Sequence, residues 1–488
     1  MSNPPAMGAL ARWLSSILSG CLVVLSLSGC ELSAPSLVIP LVLAAVLTGL
    51  EPDWRRASLA AAVVWLLALA ILLRPAVEPP MIHLGDRNLL QIAAGHFQSH
   101  WTTTAVALSI LWLAAGLGLC VLVRRHRAGL VPWLALALLA ACFFVNALRF
   151  APQQLADRAS RPNPGYSFDG YLWMNTYYLI RDGQSFYPAF LEAFAQDRRA
   201  ANSRPVFRSP VLYQVWGTLL PDGSAVVKAY LALSVLAMIA AYGLALGAGG
   251  KEASLLAPVL LFPYFIYGVY GFYFPFVELW VSALMLIAFG LYASGRRELG
   301  MAVALFAFVS RELALMLFAS LSLDYLVENR RDRKKIVFLA VLWTVAVVFY
   351  LVHRSVVFQM VGDQGEFSRF FRPGWVHSLW AALSFGFLLF PLRSGVLLVC
   401  ALLGAAGAAL AARARVALCA ALASSTLFLM LFSHGGRVID GRVVWMPDYW
   451  GSLLAPFLLA LVPVTLARFG TLGTAPEATP GEGGPVER

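Results

Sequence analysis

Residues 300–327 read GMAVALFAFVSRELALMLFASLSLDYLV, an apolar run interrupted near its centre by the charged pair Arg311-Glu312. The run is long enough to cross a bilayer once, because a transmembrane helix needs about 20 mostly apolar residues. A charged pair in the middle of a lipid-facing helix is strongly disfavoured, however. The run therefore does not fit an ordinary single span.

The basic residues on either side of this run lead to the same conclusion. Two arginines precede it, and five basic residues follow within 330–335. Basic clusters beside membrane helices favour the cytoplasm, so both ends belong on one side. We therefore predict two half-helices, 300–309 and 313–326, that rise to a water-filled cavity, turn at the charged pair and return. Irregular backbone at membrane depth is tolerated where it lines protein or water.

The composition of the whole chain indicates a membrane protein. Hydrophobic residues make up 60% of the 488 residues, charged residues make up 12%, and the mean hydropathy is +0.76. A soluble domain carries roughly 25% charged residues, because its surface must be hydrated. The net charge of +11 comes from short clusters between apolar runs, as the positive-inside rule requires. We therefore expect no nucleic-acid partner.

The predicted fold is an all-α polytopic membrane protein with about twelve spanning helices and the re-entrant half-helix pair. The basic clusters place both termini in the cytoplasm. Abundant Ala, Leu, Arg and Gly indicate a GC-rich bacterial genome, so we expect the membrane to be the inner (plasma) membrane, with a periplasmic outer side. The apolar stretch 376–391 is predicted as an interfacial or re-entrant helix, because a full span there would put Arg413 and Arg415 outside. The predicted spans are 10–29, 35–50, 57–74, 103–123, 131–150, 225–247, 253–269, 274–293, 336–352, 395–411, 416–432 and 450–468.

The six cysteines show no paired or metal-ligand spacing, so the sequence predicts neither a disulfide framework nor a metal site, and no cofactor. Cys30 leaves one alternative open. Leu27-Ser28-Gly29-Cys30 is similar to a lipoprotein cleavage box, but the basic region that precedes such a signal is thin here. We favour a first transmembrane span over a processed signal.

The longest polar stretch, 151–224, is also rich in aromatic residues. Apolar residues recur in it at helical spacing, which predicts short amphipathic helices on the membrane surface. Asp169 precedes the first of them, where Asp is typical of a helix N-cap. The alternative role for Asp169 is a general base or substrate ligand. Arg208 lies near the bilayer surface, where it either contacts lipid headgroups or binds a substrate phosphate.

The order of these features resembles the GT-C superfamily of membrane glycosyltransferases, which use polyprenyl-phosphate-linked sugars as donors. A long outer loop with an early Asp is followed by an Arg-Ser-Pro entry to the next span, a broken helix with Arg-Glu and a basic loop. The resemblance covers residues 131–352 in layout and the C-terminus more loosely. Its motifs are Phe168-Asp169-Gly170-Tyr171, Gly183 to Tyr187-Pro188, Arg208-Ser209-Pro210, Glu278-Leu279-Trp280, Ser310-Arg311-Glu312 and Tyr449-Trp450-Gly451.

The resemblance implies a mannosyltransferase-like enzyme, and direct displacement with a single carboxylate base predicts inversion at the sugar carbon. Its donor is a polyprenyl-phosphate sugar, its acceptor is a glycan, lipid or protein on the periplasmic side, and its other partners are membrane lipids. Asp169 takes the place of the family's catalytic acidic residue. The cations that fit the donor phosphate are Arg208, Arg311 and Arg354. The residues expected to line the substrate cavity are Glu278, Glu312, Tyr171 and Tyr187.

The resemblance, together with the Pro, Gly and Glu content of the tail, predicts a division of the chain. The predicted parts are an accessory transmembrane bundle (1–128), a GT-C-like catalytic module (129–352), a C-terminal transmembrane module (353–469) and a disordered cytoplasmic tail (470–488). Four spans precede the matching region, whereas the family's module commonly begins near the N-terminus. In an alternative interpretation the first outer loop is 75–101, with Asp86-Arg87 in the acidic role, although that loop is shorter and lacks aromatic surface helices.

Two other functions remain open at this point. A transporter or flippase of lipid-linked saccharides needs many spans and a polar cavity, as does a polymerase or ligase of such saccharides. Transporters often contain inverted repeats, and the sequence shows none. Sugar transfer needs a base for the acceptor, a stabilised leaving phosphate and exclusion of water. Asp169, the arginines and the half-helix pair with its loop would supply these.

Overall fold

The structure, a computed structural model, describes most of the chain beyond residue 168. The described residues are 5–28, 169–196, 208–270, 273–361, 371, 373–385, 393–432, 436–439, 442–445 and 449–471, with isolated positions between 63 and 147. These residues are almost entirely helical, as predicted, with one short β-hairpin.

Each predicted span that falls in a continuously described range has a helix at its position. The described helices are α1 (Pro5–Ser28), α2 (Asp169–Arg181), α3 (Phe186–Gln196), α4 (Val211–Leu219), α5 (Gly223–Gly247), α6 (Leu256–Tyr270), α7 (Val277–Ala293), α8 (Arg297–Ser310), α9 (Leu315–Asn329), α10 (Arg333–Val361), α11 (Trp375–Phe385), α12 (Arg393–Leu410), α13 (Arg415–Leu431) and α14 (Ala455–Thr471). Short 3₁₀ helices occupy Lys251–Leu255, Glu312–Ala314 and Tyr449–Leu453.

The predicted break in the run 300–327 is present. Helix α8 ends at Ser310, Arg311 has extended backbone (φ −158°, ψ 119°), and α9 begins after one 3₁₀ turn. The two helices form a hairpin, because Arg297 pairs with Glu328 and the hydroxyl of Tyr325 donates to Glu298 over 3.1 Å. With 14 and 15 residues, each helix is about 21 Å long, shorter than a hydrocarbon core of about 30 Å.

Two helices are both long enough and apolar enough to cross a membrane, namely α5 and Arg333–Met360 within α10. Six further apolar helices of 10–17 residues occur among the described residues. The helical architecture therefore agrees with the predicted fold class, whereas the count of spans is not fixed by helix length alone. Helix α11, with 11 residues, is about 16 Å long and too short to span.

Close helix packing holds the described body together. Gly404 and Gly407 of α12 lie against the backbone of α14, where a Cβ at either position would collide with the carbonyl oxygen of Leu458 or Leu461. Gly290 of α7 meets Ala240 of α5 in the same way. Small residues that let backbones approach closely are typical of membrane helix interfaces.

Helix α1 belongs to the same packed body as the C-terminal helices. It packs against α6 and α14, and the Ser15 hydroxyl donates to the carbonyl oxygen of Leu466 over 2.9 Å. The first helix of the predicted accessory bundle is therefore in direct contact with the rest of the core.

The helices of the predicted outer loop pack inward through aromatic side chains. Trp173 of α2 stacks on Phe190 of α3 with ring centroids 5.7 Å apart, and Tyr213 of α4 lies 6.0 Å from Trp173. Trp216 then contacts Trp280 of α7 at 4.9 Å. Because buried rings join α2, α3, α4 and α7, the loop helices are fixed over the N-terminal end of α7.

One helix end and one loop differ from the prediction. Helix α10 continues nine residues beyond the predicted span end at 352, because Gly362 is the first Gly or Pro after Gly300. The polar segment 433–449, between the predicted spans 416–432 and 450–468, was expected to be an outer loop of an all-α fold, but strands β1 (Gly436–Ile439) and β2 (Arg442–Trp445) pair antiparallel within it. Four β-branched residues in the two strands, and the dipeptide Asp440-Gly441 between the strands, favour a β-hairpin.

Several predictions fall outside the described residues. They are the spans 35–50, 57–74 and 103–123, the loop 75–101 with Asp86-Arg87, Cys30, and most of the span 131–150. The same holds for 151–168, 197–207 and the tail after residue 471.

Candidate functional site

The carboxylate of Glu278 is the centre of a buried ionic cluster. Glu278 lies in the first turn of α7, where the helix dipole favours a negative charge, and is 1% exposed. Its Oε1 accepts a hydrogen bond from Arg311 Nε at 2.8 Å and lies 3.5 Å from Arg208 Nε. One carboxylate thus holds two arginines from distant parts of the chain.

The Arg208 side chain connects this cluster to the loop helices and to the C-terminal region. Its Nη2 donates to the hydroxyl of Tyr449 at 2.9 Å, and its guanidinium carbon lies 5.1 Å from the ring centroid of Trp173. The hydroxyl of the next residue, Ser209, donates to the carbonyl oxygen of Val309 in the last turn of α8. These contacts tie the start of α4 to the tip of the α8–α9 hairpin.

On the other side the cluster continues through the hairpin tip to α10 and α3. Arg311 Nη1 donates to Glu312 Oε2 at 3.1 Å, and His353 Nε2 lies 3.2 Å from Glu312 Oε1. The hydroxyl of Tyr187 is 2.8 Å from His353 Nδ1, with the two rings stacked. Burial and the Glu312 carboxylate raise the pKa of Tyr187 to about 12, so its phenol stays protonated at neutral pH.

The seven side chains form one continuous polar network, which we call the hairpin-tip network. Its members, in order of contact, are Tyr449, Arg208, Glu278, Arg311, Glu312, His353 and Tyr187. Two arginines and two glutamates balance their charges, as buried ionic groups require. Guanidinium groups fixed in this way are suited to bind phosphate oxygens in a defined orientation.

A further polar group, the hydroxyl of Tyr213, lies beside the network. The ring of Tyr213 is fully buried, and its hydroxyl has no hydrogen-bond partner among the described residues. It is close enough to Arg208, Glu278 and Arg311 for electrostatic interaction. Burial raises the pKa of Tyr213, so the hydroxyl keeps its proton and can donate to a ligand.

Five of the eight residues predicted from the sequence meet in this network, namely Arg208, Arg311, Glu278, Glu312 and Tyr187. Asp169 begins α2, but its side chain lies outside the described part. Tyr171, predicted to line the cavity, is 37% exposed on α2 and is not one of the seven network residues. The face of α2 that points inward carries Trp173 and Tyr177, which are one helical turn apart.

Arg354, predicted as a third phosphate ligand, also lies apart from the network. Its guanidinium carbon is 6.0 Å from the ring centroid of Tyr350, one turn earlier on α10. The preceding residue, His353, is the one that faces Glu312. Successive residues on a helix point about 100° apart, so only one of the two can face the hairpin tip.

His353 and Tyr449 belong to the network, and no role was predicted for either. Tyr449 belongs to the motif Tyr449-Trp450-Gly451 of the family resemblance, but no role was assigned to it. His353 lies one residue beyond the predicted span 336–352. The available signal for His353 was an imidazole at the end of a long apolar helix, since ionisable residues in such helices are usually paired and functional. Nothing in the spacing indicated its partners.

Comparison of the chain with protein-family models, with curated proteins and with solved structures returns no match. The arguments for function therefore come from the residues and their geometry.

Proposed function

We propose that this protein is a polytopic membrane glycosyltransferase of GT-C type, which transfers a sugar from a polyprenyl-phosphate donor to an acceptor at the periplasmic face of the inner membrane. The donor phosphate binds beside the hairpin-tip network, and the acceptor enters beneath the loop helices. The α8–α9 hairpin is re-entrant, with both ends in the cytoplasm, and the remaining long apolar helices span the bilayer.

The observation that carries the proposal is the convergence of separate sequence motifs on one network. Arg208-Ser209-Pro210, Glu278-Leu279-Trp280, Ser310-Arg311-Glu312 and Tyr449-Trp450-Gly451 all contribute to the cluster around Glu278. Tyr187, of a fifth motif, joins through His353. Motifs that resemble the family only by their order along the chain are thus neighbours in space, which supports a shared function.

The surface of α10 supports the membrane part of the proposal. The helix is strongly apolar, yet only 22% of its most apolar stretch is buried among the described residues. Exposed side chains on it include Val337, Val341, Val348 and Leu351. A soluble protein rarely exposes so continuous an apolar surface, whereas a lipid-facing helix requires one.

The roles in the reaction follow from this arrangement. Asp169 removes the proton from the acceptor hydroxyl, whose oxygen then attacks the sugar carbon. The bond from that carbon to the phosphate oxygen breaks, and the bonding electrons remain on the phosphate, where Arg208 and Arg311 stabilise the charge. Direct displacement by a single base predicts inversion at the sugar carbon.

The first experiment tests this function in membranes that contain the full-length protein. Sugar-labelled polyprenyl-phosphate mannose and polyprenyl-phosphate glucose are added, and label in new glycosides is measured. Asp169→Asn is expected to reduce the transfer rate by at least about a hundredfold, because a general base contributes roughly that factor or more. Asp182→Asn, the same change at an exposed position at the end of α2, should transfer at the wild-type rate.

Three results would contradict the proposal. Full transfer by Asp169→Asn would remove Asp169 from the base role. If the wild-type protein transferred sugar from neither donor in membranes that supply acceptors, the proposed glycosyltransferase activity would be contradicted. Movement of labelled donor across the membrane without a new glycosidic bond would favour a transporter.

A further inference from the structure

The turn between α9 and α10 forms an open depression of about 510 Å³, which we call the turn depression. It is lined by one short segment of the chain, namely Glu328, Asn329, Arg331, Asp332, Arg333 and Lys334. It lies at the opposite end of the α8–α9 hairpin from the hairpin-tip network, where Glu328 pairs with Arg297. The proposed sugar transfer uses none of these residues.

The acidic and amide side chains of the turn depression already have partners within the protein. Glu328 is held by the ion pair just described. Asp332 Oδ1 accepts from the backbone N–H of Lys334 at 3.0 Å and so caps the start of α10. Asn329 Oδ1 accepts from Lys335 Nζ at 2.9 Å. The contacts of these side chains are therefore made with groups other than the basic side chains of the lining.

The basic side chains of the turn depression are Arg331, Arg333 and Lys334. All three residues are exposed, and none of these side chains forms a hydrogen bond or ion pair within the part of the chain that the structure describes. Arg333 and Lys334 lie in the first turn of α10, where the helix dipole disfavours positive charge. A bound anion would compensate the three cations and the positive end of the helix together.

An exposed apolar face of α10 begins one turn beyond these cations. Its side chains are each roughly half exposed and follow at intervals of three or four residues, which places them in one stripe: Val337, Val341, Val345, Val348 and Val352. Lys334 precedes Val337 by three residues and heads this apolar stripe. The stripe rises about 22 Å, more than the roughly 15 Å of hydrocarbon in one leaflet. A molecule with an anionic head and an apolar tail matches both surfaces.

We propose that the turn depression and the apolar stripe together bind an anionic phospholipid, with its phosphate among Arg331, Arg333 and Lys334 and an acyl chain along the stripe. This site goes beyond the proposed function and uses only its placement of α10 in the membrane. The positive-inside rule explains the side on which the basic residues lie. It does not require three cations around one depression whose acidic side chains are bound elsewhere. A zwitterionic lipid carries its own cation beside the phosphate, and it therefore binds more weakly.

The experiment measures lipid binding to the purified full-length protein by native mass spectrometry. Phosphatidylglycerol and phosphatidylcholine with the same acyl chains are titrated separately in detergent micelles, and the dissociation constant of the first bound lipid is determined. Phosphatidylglycerol is expected to bind at least about tenfold more tightly, because each basic residue near a membrane surface contributes roughly fivefold in affinity for anionic lipid. Glycerol 3-phosphate, which has the phosphate without acyl chains, should not compete.

Two double variants assign the preference to the turn depression. Arg333→Gln/Lys334→Gln should reduce the preference for phosphatidylglycerol to about fivefold or less, the contribution of the remaining Arg331, with the affinity for phosphatidylcholine unchanged. Lys251→Gln/Arg415→Gln removes the same two residue types at exposed positions elsewhere on the predicted cytoplasmic side. This control should keep the wild-type preference.

The proposal is overturned if the wild type binds the two lipids equally, or if Arg333→Gln/Lys334→Gln keeps the wild-type preference. An equal loss in the control variant would make the preference a property of overall charge and would also overturn the site. Competition by glycerol 3-phosphate with the affinity of the lipid would replace the lipid site with one for a soluble phosphate.

These outcomes are separate from those of the transfer assay. A preference for phosphatidylglycerol that depends on Arg333 and Lys334, without sugar transfer, leaves the lipid site and removes the enzyme. Sugar transfer without this preference leaves the enzyme and removes the lipid site.

Discussion

At the scale of single residues, the site depends on the carboxylate of Glu278. Two guanidinium groups contact its Oε1, and the hydroxyl of Ser452 approaches its backbone carbonyl oxygen at 3.5 Å. Removing one member of a buried ion pair leaves the other charge without compensation. Glu278 therefore stabilises the fold and positions both arginines.

We expect Glu278→Gln, which keeps the shape and removes the charge, to lower the free energy of unfolding by about 3 kcal/mol or more. Sugar transfer should fall with it, because Arg208 and Arg311 are no longer held together. The free energy can be measured by denaturant unfolding in mixed micelles. Glu328→Gln is the control, because its pair with Arg297 is about one-third exposed and such pairs contribute about 1 kcal/mol or less. Equal losses in the two variants would contradict the assigned role of Glu278.

The charged residues of the site were recognisable in the sequence, but their pairings were not. Arg311-Glu312 could be identified because charged residues in a membrane segment are energetically costly and are usually functional. Tyr187 and His353 are 166 positions apart and Arg208 and Tyr449 are 241 apart, and both contacts depend on how whole helices pack. The sequence could not tell which aromatic residues of α2 face inward, because aromatic residues occur on both sides of that helix.

At the scale of helices, Gly404 and Gly407 of α12 lie so close to the backbone of α14 that no larger residue fits at either position. Gly407→Ala is expected to lower the thermal unfolding temperature of the purified protein, because the added methyl group meets the backbone of Leu461. Gly395→Ala is the matched control on the same helix, where a Cβ meets no atom within 4 Å. Alanine there should be neutral or stabilise by about 0.5–1 kcal/mol, since glycine is a poor helix former. If Gly407→Ala were as stable as Gly395→Ala, the close packing of α12 on α14 would be wrong.

Helix positions were the most predictable feature of this chain, and helix ends were less so. Apolar runs fixed α5, α7, α12 and α13 to within a few residues. Helix α10 ran past its predicted end, since no glycine or proline stops it before residue 362, and this extension brings His353 to the site. The hairpin 436–445 was missed because its eight strand residues lie in a polar loop without a long alternating pattern.

At the scale of the whole molecule, the account requires that the loop helices and the ends of the α8–α9 hairpin lie on opposite sides of the bilayer. The hairpin tip accepts a hydrogen bond from Ser209, just before α4, and Glu312 at the tip reaches Tyr187 of α3 through His353 of α10. The two ends of the hairpin meet each other at Arg297 and Glu328. A phosphate site at the tip is therefore open to the periplasm only if both ends of the hairpin are cytoplasmic.

Labelling of single cysteines tests this arrangement most directly. In a chain whose six natural cysteines are replaced, Asp182→Cys, Arg296→Cys and Arg331→Cys are introduced one at a time and treated in intact cells with a maleimide that does not cross the membrane. All three positions are exposed, so each is accessible from its own side. Asp182→Cys should react in intact cells, and the other two should react only after the membrane is permeabilised. Reaction of Arg331→Cys from outside would make 300–327 a single crossing and would contradict the site at its centre.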